Sequence, residues 1–261
     1  MSSVIAIIVI HQSSLVAEMF AQKFHRMIAK QVSFGKNIQQ FSTSATMQTV
    51  PYTPRRSLMY VPGNDDRKVA KIPKLGADCI CLDCEDGVAL NMKESARNNI
   101  RNILDTKSVE FGNSECSVRV NSVDSGLCFK DLEVILGGDN HPSALHLPKV
   151  GGREELELVW DKVRQVVGEG SQQIGLIMFI ETARSLIDID KICKAAWELA
   201  ESPTSPLCPV ALVFGSDDFA ADIGATRTRD NMELLLARQV VVTAAKAHRL
   251  QAIDCVYIDY K

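Results

Sequence analysis

The chain has 261 residues, a formal net charge of −3 and 46% hydrophobic residues. Those values exclude a disordered chain and a small disulfide-stapled fold, and they leave enough apolar mass for one large domain or two small ones. A near-neutral charge also argues against nucleic acid as the main partner, for which a basic stripe is the usual footprint.

The averages conceal a division. Residues 1–50 carry four basic side chains (Lys23, Arg26, Lys30, Lys36) against one acid, Glu18, so 51–261 hold 25 basic and 31 acidic residues, a net of −6. Phe20, Phe24 and Met27 or Ile28 share one helical face, with cations beside it. Scarcity of acids and abundance of Ser and Gln predict a mitochondrial transit peptide and linker over 1–50, ending near Phe41-Ser-Thr-Ser-Ala-Thr, and hence a matrix location. The apolar run 4–10 is too short to span a bilayer. It also lacks the basic segment that precedes the apolar core of a secretory signal; that signal and an unprocessed tail are the alternative readings. No membrane partner is expected. Residues 51–261 form the expected globular domain.

From residue 57, short apolar runs alternate with amphipathic stretches. Strands are expected over 57–61, 78–82, 116–120, 144–147, 174–180, 210–214 and 254–258, several of them continuously apolar, as strands covered on both faces should be. Helices are expected over 65–75, ended by Pro73, and over 92–104, 130–136, 154–167, 185–199 and 231–249. This alternation predicts parallel strands joined by right-handed crossovers. No G-x-G-x-x-G follows the first strand, which counts against a dinucleotide-binding sheet. The regular repeat fits an α/β (β/α)8 TIM barrel. With seven strands, and about 211 residues against the ~250 typical of that fold, the expectation is an incomplete barrel with strands one and seven as edges.

Eight cysteines follow no disulfide pattern. Cys81 and Cys84 make a C-x-x-C, but no second pair completes a zinc site. Cys79 and Cys81 fit a buried strand, where a thiol packs as a small hydrophobe.

In a barrel, functional residues gather where strands end and βα loops begin. The strand ends here are polar in series: Tyr60-Val-Pro-Gly63, Asp83-Cys-Glu85-Asp86, Arg119-Val-Asn121, Leu147-Pro-Lys149, Glu181-Thr182 and Phe214-Gly-Ser-Asp217-Asp218. Glu181 and Asp217/Asp218 project from neighbouring strands. Carboxylates without a His or Cys cluster suit Mg2+, which keeps several waters. Arg119 within a strand is costly to bury without an anion. It serves either in an ion pair with Glu85 or Asp86, or as a contact for a carboxylate or developing oxyanion. Lys149 has the chemistry for a Schiff base, yet an electrostatic role fits better beside a metal site. His141, His146 and His248 read as structural. A G-x-S-x-G elbow and a G-x-x-x-x-G-K-[ST] loop are both missing.

The segments RRSLMYVPGNDDRKVAKI, LDCEDGV, RVNSVDSG, LPKV, IETA and VFGSDDFAADIGAT, in this order and spacing, resemble the citrate lyase β-subunit-like branch of the HpcH/HpaI aldolases. The resemblance covers residues 55–261. It implies a Mg2+-dependent barrel that breaks or forms a carbon–carbon bond in acyl-CoA thioesters, with citramalyl-CoA cleaved to pyruvate and acetyl-CoA. Glu181 and Asp218 are implied as metal ligands. Arg119 is implied as the catalytic substrate contact, and Tyr60, Arg67, Lys71, Lys93 and Arg97 as holders of the thioester and CoA phosphates. Glu85, Asp86, Asp217 and Lys149 form the surrounding layer; Asp217 stands where relatives often have Glu. The family is homo-oligomeric, commonly trimeric. Its members continue past the position of Lys261 into an eighth strand, C-terminal helices and an acidic residue credited as the catalytic base, supplied by a neighbouring subunit. The expectation is therefore of a C-terminally truncated lyase with impaired turnover. Two alternatives remain: an inactive chain that binds CoA or co-assembles with full-length subunits, and a lyase or synthase acting on malyl-CoA or a citryl thioester.

Overall fold

The computed structural model describes residues 5–8, 52–168 and 172–257. Apart from Ile5–Ile8, the transit-peptide and linker expectations for 1–50 lie outside the described residues.

Seven parallel strands make a curled, incomplete barrel. They are β2 (Ser57–Pro62), β3 (Cys79–Asp83), β4 (Glu115–Arg119), β5 (Ala144–Leu147), β6 (Ile174–Ile180), β7 (Leu207–Phe214) and β8 (Gln251–Ile253), each hydrogen-bonded to the next. Two short antiparallel strands extend the sheet. β1 (Ile5–Ile8) lies along β2, and β9 (Val256–Tyr257) lies along β1. The first parallel strand is therefore covered rather than an edge. The seventh strand also departs from expectation. It occupies Gln251–Ile253 instead of 254–258, because Asp254 ends the run: its carboxylate pairs with Arg238 and accepts the Cys255 backbone N–H at 2.8 Å.

Side chains alternate between the two faces of the barrel wall. Val61, Ile80, Leu82, Val118, Leu145 and Leu147 point outward into one apolar layer. There they meet helices α2 (Lys93–Thr106), α3 (Cys128–Leu136) and α4 (Arg153–Val167), whose buried stripes include Ile100, Ile103, Leu132, Ile135 and Trp160. Each such side chain contributes about 1.5–3 kcal/mol on full burial. The alternate residues Leu58, Cys79, Cys81, Ala144, Ile177, Phe179, Ala211 and Val213 face inward and form a second cluster. The cysteines expected to pack in the core do so. Cys79, Cys81 and Cys84 are buried, and burial pushes their thiols well above the usual range.

Helix boundaries differ from the expected ones at polar breaks. The 65–75 segment divides into α1 (Asp66–Val69), capped by the Asp65 carboxylate, and a 3-10 turn Ile72–Lys74. Pro73 starts that turn rather than ending a helix, since its missing N–H costs nothing in a first turn. The 185–199 helix is two, α5 (Ala183–Ile187) and α6 (Ile189–Ala200), separated at Asp188. The loop after β7 carries α7 (Ser216–Asp222), and α8 (Leu235–Ala247) packs outside β7 and β8. Among the described residues, no helix is long and apolar enough to cross a membrane.

Candidate active site

The C-terminal ends of β2 to β7 meet around a cavity of about 220 Å3, lined among others by Tyr60, Asp83, Arg119, Phe179, Glu181 and Asp218. Local sequence fixes each carrier. Glu181 follows the last residue of β6, and the next turn is closed by a capping box. In it the Ser185 N–H donates to Thr182 Oγ1 at 3.0 Å and the Thr182 N–H donates to Ser185 Oγ at 3.1 Å. Gly215 follows β7 and passes directly over Glu181; a Cβ there would run into the Glu181 side chain. That close approach calls for a glycine between the strand and the first turn of α7, which carries Asp217 and Asp218.

One half of the rim is built on Arg119. Register places it opposite Asp83 on the neighbouring strand. Its Nε and Nη2 donate to the two Asp83 oxygens at 2.7 Å each, a bidentate pair. Nη1 lies 2.8 Å from Glu85 and 3.4 Å from Asp86, and the guanidinium sits 4.6 Å above the Tyr60 ring. Asp83 also accepts the backbone N–H groups of Glu85 and Gly87 at 2.8 and 2.9 Å. Burial alone would raise the Asp83 carboxyl, but Arg119 and these donors hold it below its ordinary value. The same acids hold Arg119 well above its own, against its burial. The expected ion pair with Glu85 or Asp86 is present. Its principal member, Asp83, was not singled out from sequence; the signal lay in the alignment of strands two and three.

The other half has more acids than cations. Lys149, two residues past β5, lies 2.7 Å from Asp218 and 3.0 Å from Glu85, and its backbone N–H donates to Glu181 at 2.5 Å. Burial, reinforced by the nearby Glu85 and Asp218, pushes the Glu181 carboxyl up to about 7. Burial also raises Glu85, against the pull of Arg119. Lys149 is raised despite its burial, chiefly by Asp218 and Glu85. Among the described residues, no group of three or more His, Cys, Asp or Glu side chains is arranged to hold a metal. Yet Glu85, Glu181 and Asp218 are hard oxygen donors gathered around Lys149, and that donor set suits Mg2+.

The remaining sequence-derived residues divide. Asp217 is turned to Arg227, a partner that was not anticipated. Asp86 is largely exposed at the cavity mouth. Lys93 is committed to the loop after β3, donating to the carbonyls of Cys84 and Glu85 at 2.8 Å each. Arg97 is buried against Asp131, 2.9 Å away, and does not line the cavity. Arg67 and Lys71 are exposed at and just after α1, past the end of β2. Tyr60 forms the floor under Arg119, its buried hydroxyl having no hydrogen-bond partner among the described residues. His146 is buried, neutral, and 3.0 Å from the Ser117 hydroxyl.

A family profile for HpcH/HpaI aldolase/citrate lyase matches residues 56–261. The chain belongs to this family. It is 48% identical to the mitochondrial citramalyl-CoA lyase of Mus musculus over 212 residues, which cover 80% of this chain and 62% of that protein. The chain thus spans just under two thirds of that curated relative. Among solved structures, RipC from Yersinia pestis aligns at a TM-score of 0.57 with 27% identity, covering 78% of this chain and 76% of RipC. The protein CitE from Mycobacterium tuberculosis, in complex with magnesium and pyruvate, aligns at 0.58 with 25% identity, covering 77% and 73%.

Proposed function

We propose that the chain is a Mg2+-dependent acyl-CoA carbon–carbon lyase that cleaves (3S)-citramalyl-CoA to pyruvate and acetyl-CoA, acts in mitochondria and works as a homo-oligomer. The observation that carries this reading is the under-neutralised group of Glu85, Glu181 and Asp218 beside Arg119 at the barrel mouth. Similarity to a named citramalyl-CoA lyase supports the substrate, and a magnesium-bound relative supports the metal.

Glu181 and Asp218 would hold the ion. Held by them, it would supply Lewis-acid chemistry to a 3-hydroxyacyl thioester. Arg119 is prevented from moving by its bidentate pair with Asp83 and its stacking on Tyr60. Its weakest contact, Nη1 to Asp86 at 3.4 Å, is the one a substrate carboxylate or an enolate oxygen displaces. Glu85 orients both Arg119 and Lys149. The exposed cations Arg67 and Lys71 are the residues assigned to the CoA phosphates, whereas Lys93 and Arg97 brace the loop after β3 and helix α2. The test is release of acetyl-CoA from citramalyl-CoA by the full chain with Mg2+. Activity abolished by EDTA and by Asp218→Ala is expected, and activity indifferent to both overturns the reading.

A further inference from the structure

Lys149 touches all three carboxylates of the acidic half: Asp218 and Glu85 through its ammonium, Glu181 through its backbone N–H. Its backbone is unusual. With φ at 53° it lies in the left-handed region, which a lysine adopts only when its surroundings impose it. The neighbours Leu147 and Val150 are buried and anchor the segment on either side. The side chain is different, being 37% exposed at the end of a flexible four-carbon stem. The main chain is therefore fixed while the charge is free to relocate. Glu85 is held from its other side by Arg119 at 2.8 Å, and Asp218 is 43% exposed in the first turn of α7. Of the two ammonium contacts the one to Asp218 is the shorter, 2.7 Å against 3.0 Å to Glu85, so an ion that takes Asp218 as a ligand has to compete with it.

We propose that Lys149 is the residue that sets this site's affinity for a divalent cation. Its ammonium lies among the carboxylates that a divalent ion would use, and it competes with that ion for Asp218. A tethered monovalent charge keeps three crowded carboxylates compatible with folding. It is also a built-in competitor, because a divalent ion must displace it from Asp218 and then lie near it. The proposal rests on the reading of Glu181 and Asp218 as ligands.

The test is calorimetric titration of Mg2+ into the full chain and into Lys149→Met, Lys149→Arg, Glu181→Ala and Asp218→Ala. Methionine keeps the stem length and the same left-handed backbone demand but removes the charge. Lys149→Met should bind Mg2+ about tenfold more tightly, as expected for removing one unit charge a few ångströms away at a half-exposed site. Lys149→Arg should bind no more tightly than wild type. Binding by Lys149→Met that is equal or weaker, with Glu181→Ala and Asp218→Ala still losing the metal, overturns the competitor role and makes Lys149 a support for the ligands. Undiminished binding by Glu181→Ala and Asp218→Ala overturns the ligand reading itself. A measurement on the unmodified protein is independent of variant folding. Trace acylation of Lys149 should accelerate severalfold on adding Mg2+, and a rate that Mg2+ leaves unchanged or lowers contradicts the proposal.

Discussion

The two halves of the barrel rim use the same residue types to opposite ends. Around Arg119 the charges are matched in geometry: a bidentate aspartate, a second carboxylate from Glu85 and an aromatic floor, with Asp83 lowered and Arg119 raised so that both stay ionised. Around Lys149 they are mismatched: Asp218 and the shared Glu85 meet its ammonium, Glu181 reaches only its backbone N–H, and Glu85 and Glu181 are raised. A buried pair whose members satisfy each other is a fixed structural element, and breaking it is expensive. A crowd of acids short of cations stores electrostatic repulsion that an incoming cation relieves. The difference separates the part of the site that gives position from the part that gives metal binding.

The sharpest way to break the matched half is Asp83→Ala, which leaves Arg119 buried without its main partner. A loss of about 3–5 kcal/mol in unfolding free energy is expected, read by denaturant melts. The mismatched half should respond in the reverse direction. Folded Glu181 keeps its proton up to about pH 7, whereas an ordinary glutamate releases it near 4.5. Between those values the native state binds more protons than the unfolded one, so metal-free stability falls as pH rises and the loss is complete above about 7. Glu181→Gln should therefore match wild type at pH 4 and exceed it at pH 8 by about 3 kcal/mol, in EDTA. A mutant no more stable at pH 8 than wild type contradicts the crowding. Gly215→Ala forces a methyl into Glu181, and a cost of about 1–3 kcal/mol with weakened Mg2+ binding is expected. Smallest is Arg153→Ala, which removes exposed pairs with Glu157 and Glu198. It should change stability by no more than ~1 kcal/mol and leave metal binding unaltered.

The order of strands and the chemistry of their ends were legible because a parallel barrel writes both into local sequence: apolar runs, then polar residues at each C-terminal end. Glu181, Asp218 and Arg119, which line one cavity, were picked out by that pattern. Asp83 was not, because its role depends on which residue of β4 it faces, a matter of register between strands 36 residues apart. Lys93 and Arg97 looked like phosphate ligands because sequence shows their charge and not their commitments to the Cys84 and Glu85 carbonyls and to Asp131. The seventh strand was misplaced by a few residues, since Cys255, Val256 and Tyr257 continue an apolar pattern that Asp254 interrupts by capturing Arg238. The left-handed backbone of Lys149 leaves no mark in the sequence, a lysine there being against local preference.

Mg2+-dependent thermal stabilisation bears most directly on the claim that the mismatched carboxylates are a metal centre. With increasing Mg2+, the melting temperature of the unmodified chain should rise, while those of Glu181→Ala and Asp218→Ala stay flat. A wild-type melt that Mg2+ leaves unmoved, or an equal rise in all three proteins, would contradict it.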